Sequence, residues 1–380
     1  MPVEAAGLKP GSYAEADGET GGCIVKKPQK AMTLEIENGR FEQLKETNVP
    51  ALPATDKRRS TFMNIDQVSQ SVVNSIPFPD EVFGNTDYRT AMADYYGVPN
   101  GMIAPHVGMM IKGKPLDVYG DLLTTVCMPG GGWTKQHDTT KWLLTDMMAE
   151  CEMDCTTEVF GLFSACISQV DALNGQPARK RQAMVPDFHV VIARKAMLME
   201  LKMVHQGVTY FNPTTVTKRN GGVEKRAGKI NREHQKKAQK TDKDWGPGGG
   251  WDRDAQGPGP VEQRLAEFGQ VRALIVGPRG EVSKDLAWLI TQMAKVGAER
   301  KWRIMGARSI PEARAVLKRR FTRMLGNFAI RAVARLKREV LGIALGGGNA
   351  AANARAKAKR FHHNLNKEYG FQHAHGPYAG

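Results

Sequence analysis

Cysteine is scarce: five in 380 residues is too few for a disulfide-stapled scaffold. Long apolar runs are also missing. None reaches the roughly 18 residues that cross a bilayer, so no membrane partner is expected. Residues 1–30 carry Glu4, Glu15, Asp17 and Glu19 and have no apolar core segment. No secretory signal is expected there, and an intracellular compartment is. Acid is the scarcer charge, 39 Asp and Glu against 54 Lys and Arg, which leaves a formal net charge of +15. The 41% of hydrophobic residues is enough for one sizeable core, which excludes a fully disordered chain.

The basic excess is concentrated. Between Lys301 and Arg360 sixteen basic residues face only Glu312 and Glu339, so this segment holds nearly the whole net charge. A second basic stretch runs from Lys218 to Lys243. Such clustering is an electrostatic footprint for phosphates, although a solvated helix face explains a charge run as well.

The chain divides by composition. Residues 1–60 are rich in Gly, Pro, Glu and Lys without a period and read as a disordered tail. Residues 61–133 read as an irregular lead-in with one helix over 86–96. A core is expected over 134–297, a basic helical region over 298–345 and a loose tail over 346–380. Within the core, Thr134 to Glu150 has helical spacing, with Trp142, Leu143, Leu144, Met147 and Met148 on one side. Cys155 to Phe163 suggests a short strand. Val185 to Ile192 and Ala196 to His205 are β-rich runs joined by Ala193-Arg194-Lys195, a hairpin signal. Val223, Ala227, Ile230 and Ala238 form a narrow apolar stripe under a basic surface, which predicts a helix. A strand over 271–277 follows, then a helix capped by Ser283. Ser309, Pro311 and Glu312 open a further helix that Gly326-Asn327 is expected to break. The order helix, three strands, helix, strand predicts an α/β fold with a mixed central sheet, followed by the basic helical region.

The residues with chemical content lie in the hairpin. Pro186-Asp187 is followed, after twelve residues, by Glu200-Leu201-Lys202. Strand alternation puts Glu200 and Lys202 on one face and Met199, Leu201 and Met203 on the other. Asp187 begins the neighbouring strand and lies beside Glu200 if the strands pair across the turn. Charge on an otherwise apolar strand is costly without a partner. Mg²⁺ would offset that cost, held by Asp187, Glu200 and the carbonyl of Leu201. Lys202 would hold a water or neutralise developing charge, which suits phosphodiester hydrolysis. An exposed Glu/Lys pair kept for solubility is the competing reading.

The motif and element order resemble the PD-(D/E)XK, restriction-endonuclease-like nucleases. Three stretches are similar, more closely, to the C-terminal endonuclease region of non-LTR retrotransposons, including the degenerate copies in algal and protist genomes. The first is Asp117-Val118-Tyr119-Gly120-Asp121, then Cys127, Gly130-Gly131-Gly132 and His137-Asp138. The second is Pro186-Asp187 with Glu200 and Lys202, and the third is the basic segment Glu224 to Lys240 with the strand after it. The resemblance covers about residues 100–345. It implies a Mg²⁺- or Mn²⁺-dependent endonuclease acting on DNA in the nucleus, with RNA as an alternative partner. It also implies catalytic Asp187, Glu200 and Lys202.

In this family an extra acid on the first helix or first strand often stands near the metal, which makes Glu158 and Glu150 secondary candidates; His137 is a further one, and His205, three residues after Lys202, is placed to approach a phosphate or simply to end the strand. Lys225, Arg226, Lys229, Arg232, Lys236 and Lys237, with Arg331, Arg335 and Arg338, are the expected phosphate contacts. The sequence departs from the family at Leu122, where a His is usual. Of the family's zinc cluster only Cys127 and His137 match, with His106 a weak third, so zinc is not expected. The polymerase signature, Tyr or Phe followed by x-Asp-Asp, is absent. A catalytically inactive nucleic-acid-binding remnant is therefore the alternative expectation.

Overall fold

The structure, a computed structural model, describes residues 14–16, 23–25, 36, 39, 43, 61, 63–74, 83–159, 161–166, 185–207, 210–211, 218, 220–245 and 251–368. Most of the expected N-terminal tail and residues 369–380 lie outside these. Ala14–Ala16 and Cys23–Val25 pair as a short antiparallel ladder within that tail. Two helices lead in, α1 (Gln67–Asn74) and α2 (Asn85–Tyr96). The core follows as α3 (Gly132–Glu150), β1 (Asp154–Thr157), β2 (Phe188–Ile192), β3 (Lys195–Met203), α4 (Gly221–Trp245), α5 (Pro260–Glu267), β4 (Arg272–Val276) and α6 (Lys284–Lys301). A long helix, α7 (Ile310–Glu368), ends the described chain. No helix among the described residues is long and apolar enough to cross a membrane.

The fold is mixed α/β. Strands run in the spatial order β1-β2-β3-β4, with the first two pairings antiparallel and β3–β4 parallel. The β2–β3 hairpin closes through Ala193 and Arg194, both in the left-handed region at φ 50° and 65°. That conformation matches a two-residue hairpin turn whose twist suits the strands. β2 alternates, with Phe188, Val190 and Ile192 buried. β3 is buried without a break from Met197 to Leu201, as expected of a strand covered on both faces. Met197, Met199 and Leu201 pack with Leu144, Met147 and Met148 of α3, Leu289 and Met293 of α6, and Leu317 and Phe321 of α7. Leu198, Ala273 and Ile275 pack on the other face with Val223 and Ile230 of α4 and Val261 and Leu265 of α5.

The expected break at Gly326-Asn327 does not occur. Helix α7 runs unbroken from Ile310 through Glu368, past Gly346, where a loose tail was expected. Gly326 is a contact glycine. A Cβ there would lie 2.3 Å from Val68 O and 2.6 Å from Ser71 Oγ, so α1 approaches the α7 backbone only because the side chain is absent.

Buried charge fixes the lead-in to α7. Lys337 is fully buried, bonded to the Asp94 carboxylate and, at 2.9 Å, to Tyr119 O, with Asp121 Oδ1 at 3.8 Å. Asp117 accepts from Tyr119 N at 3.0 Å and Leu122 N at 3.1 Å, which orders the short helix Asp121–Thr125. The Asp117–Asp121 motif thus acts as a turn and anchor. Asp94 O also accepts from Arg279 Nε at 3.3 Å. Arg279 Nη1 donates to Tyr210 Oη at 3.2 Å, and Tyr210 in turn donates to buried Glu281. Burial pushes the Glu281 carboxyl up to about 7, against the lowering influence of Tyr210 and Arg279.

Packing and helix propensity make opposite forecasts at two glycines of α7. Gly326→Ala should lower stability by about 1–3 kcal/mol, because the methyl meets the α1 backbone. Gly342→Ala, with nothing within 4 Å of the new methyl, should raise it by up to about 1 kcal/mol. Urea unfolding of the two variants checks both signs.

Candidate active site

Register brings three carboxylate positions into line. The last β2–β3 pair is Phe188 with Met199, so Asp187 stands opposite Glu200 one step further on. The last β1–β2 pair is Thr157 with Phe188, so Glu158 follows opposite Asp187, and Glu158 N donates to Asp187 O at 3.2 Å. The hairpin sets Asp187 and Glu200 at neighbouring positions, but the Asp187 carboxylate is met from the α3 side of the sheet and the Glu200 carboxylate from the α4 side.

Each of the three carboxylates has a basic partner. Glu158, at φ 49°, bonds to Lys141 of α3. Asp187 Oδ2 accepts from Leu201 N at 2.8 Å and lies 3.5 Å from His137 Nε2. The same Nε2 donates to Leu201 O at 3.2 Å, while His137 Nδ1 stands 3.1 Å from Asp138 Oδ1. Glu200, 4% exposed, bonds to Lys202 and lies 3.5 Å from His234 Nε2 of α4. Asp187 is thus reached from α3 and Glu200 from α4, although the two are opposite in register. Lys202 remains about one-third exposed and available to solvent.

The electrostatics follow from these pairs. For His137, burial lowers the pKa, but the hydrogen bonds to Asp138 and Asp187 outweigh it and hold the ring up at about 9, so it is charged at neutral pH. For Glu200, burial raises the pKa, but His234 and Lys202 outweigh it and hold the carboxyl down at about 2. Both groups are ionised, as buried charges with partners are.

The oxygens of Asp187, Glu200 and Leu201 O are hard donors that suit Mg²⁺ or Mn²⁺. As placed, Asp187 Oδ2 and Leu201 O share His137, and both Glu200 oxygens face cations. Among the described residues no group of three or more His, Cys, Asp or Glu side chains could hold a metal as it stands. Asp187 Oδ2 and Leu201 O suit such an ion once His137 yields, whereas Glu200 is held on the α4 side by His234 and does not converge on them as it stands.

The other candidates are elsewhere. His205 is stacked on Trp133, 5.3 Å between rings, and burial pushes its imidazole down to about 4. Glu150, at the far end of α3, pairs with Arg320 at 2.5 Å. Cys127 is exposed, and His137 faces Asp187.

On α4, Lys225, Lys229, Arg232 and Lys236 are exposed, and their spacing puts them on one stripe that Lys240 and Lys243 extend to about 27 Å. Lys237 is exposed beside this stripe, and Arg226 is held by Glu233 at 2.6 and 2.8 Å. On α7, Arg335 and Arg338 hold buried Asp87 at 3.6 and 3.2 Å, and the Arg331 guanidinium lies 4.8 Å over Phe83. The charge of these three is directed at α2 and the residues just before it.

His234 and Lys141 are partners that sequence reasoning missed. His234 occupies the apolar stripe of α4 between Ile230 and Ala238, and a basic residue on that stripe was the available signal. No protein-family model and no curated protein matches this chain.

His234→Ala removes the largest single influence that lowers Glu200, the hydrogen bond from His234. A carboxyl held below its ordinary 4.5 stabilises the fold above that value, and the contribution is lost as pH falls toward about 2. Acid unfolding of His234→Ala should therefore show a shallower fall over this window. The Glu200 carboxyl, followed by NMR titration, should titrate above its wild-type value.

Proposed function

We propose that the chain is a metal-dependent endonuclease of the PD-(D/E)XK type, descended from a retrotransposon target-nicking domain. One observation carries this reading: Asp187 stands opposite Glu200 in register, with Lys202 two residues on, in the order helix, three strands, helix, strand. Asp187, Glu200 and Leu201 O would hold Mg²⁺ or Mn²⁺, which supplies Lewis acidity and a more acidic water. The partly exposed Lys202 ammonium is the group that can meet a phosphate oxygen or the attacking water. Lys141 neutralises Glu158, so that carboxylate does not add negative charge to repel the phosphate.

The proposed partner is DNA, which implies a nuclear location. The exposed α4 stripe offers cations at regular intervals along a phosphate backbone without reading bases. A second reading is a nucleic-acid-binding protein without catalysis. Its support is that every carboxylate on the register line already has a basic partner.

Supercoiled plasmid with Mg²⁺ or Mn²⁺ separates the two. The nuclease reading expects nicking by the wild type and a loss of at least about a hundredfold in Asp187→Ala and Lys202→Ala. Intact plasmid that still shifts on a gel would establish the binding reading instead. Duplex DNA and matched RNA in the same shift assay identify the preferred polymer.

Salt dependence tests the stripe. Changing Lys229, Arg232 and Lys236 to Ala should reduce the slope of log K against log salt by about 2–3. Arg335→Ala and Arg338→Ala should instead lower stability, since they strip buried Asp87 of its partners.

A further inference from the structure

We propose that His137 is a resident competitor for the cation: its ring N–H occupies Asp187 and Leu201 O and must swing out before a divalent ion binds there. The inference rests on the nuclease reading and concerns how that site is kept closed.

The geometry is specific. Nε2 of His137 lies 3.2 Å from Leu201 O and 3.5 Å from Asp187 Oδ2. A carbonyl oxygen only accepts, so Nε2 carries a hydrogen and points it at the two oxygens. An ion bound to both at about 2.0–2.1 Å would lie in the gap that this N–H fills. The ring and the ion cannot hold the pair together. Lys202 and His234 do not replace the ring here, because they meet Glu200.

The ring also has somewhere to go. Its side chain is 24% exposed, so rotation toward solvent is open. Asp138 Oδ1, 3.1 Å from Nδ1 and on the neighbouring residue, is a partner the ring can keep as it leaves Leu201. The contact belongs to α3 and the oxygens to β2 and β3, so ion entry exchanges a helix–sheet hydrogen bond for a metal bond.

Mn²⁺ binding to the full chain, followed by calorimetry at fixed pH, tests this without reference to cleavage. His137→Ala should bind Mn²⁺ about tenfold more tightly than the wild type, the scale of one charge-assisted hydrogen bond. His137→Asn, too short to reach Leu201 O, should do the same and stands in for Ala should that variant not fold. Asp187→Asn should abolish the tight site. Weaker binding on losing His137 would make it a ligand, and unchanged binding would make it a bystander. Either result overturns the inference while leaving the ion at Asp187. Mn²⁺ binding that ignores Asp187→Asn, or no Mn²⁺ binding by any form, would overturn the nuclease reading and this inference together.

Discussion

An ionised carboxylate costs several kcal/mol to bury unless a partner comes with it. Glu158, Asp187 and Glu200 stand on one register line across β1, β2 and β3, and each meets that demand differently. Lys141 comes from one turn of α3 and His137 from the turn before it. His234 comes from α4, on the other face of the sheet, and Lys202 from β3 itself. The two covering helices are therefore tied to the strand ends by charge as well as by the apolar contacts of Leu144 and Ile230. Asp138 stands behind both α3 cations, 3.1 Å from His137 and 4.0 Å from Lys141, so His234 is the buried cation that depends on Glu200 for its ion pair.

A second set of buried charges performs the same service for the lead-in. Lys337, in the middle of α7, has no exposure and is satisfied by Asp94 and Tyr119 O. Asp94 passes the linkage to Arg279 through its backbone oxygen, and Arg279 to Tyr210 and Glu281. Elements far apart in the chain thus share one polar network in an apolar setting, where every member must be satisfied. Helix α7, which the apolar face of α6 also covers, holds this network on one flank and the sheet core on the other.

Much of the core was legible because its signals are local. The alternation of Phe188, Val190 and Ile192, the Ser283 cap and the apolar spacing of α3 and α4 each follow from a few neighbouring residues. The neighbouring positions of Asp187 and Glu200 were legible because a two-residue hairpin turn fixes register; the opposite sides from which their carboxylates are met were not. What failed depended on tertiary context. Gly326 reads as a breaker until the α1 backbone is seen to occupy the space of its missing side chain. The sequence also did not show that Asp87 and Phe83 lie beneath Arg331, Arg335 and Arg338, of which Arg335 and Arg338 stay about half exposed. His234 was hidden because a histidine among apolar residues does not reveal which carboxylate it will meet.

The parallel pairing of β3 with β4 has a consequence for the order of assembly. The β1–β2–β3 pairs are antiparallel, and the β2–β3 hairpin needs only a two-residue turn, an event on the microsecond scale. β4 can join only after the long crossover containing α4 has been brought round, a slower step because its contacts are distant in sequence. Until then Glu200 has Lys202 as its local cation and lacks His234. The neighbouring placement of Asp187 and Glu200 thus rests on contacts local in sequence, whereas the contact that closes Glu200 off on the α4 side rests on distant ones.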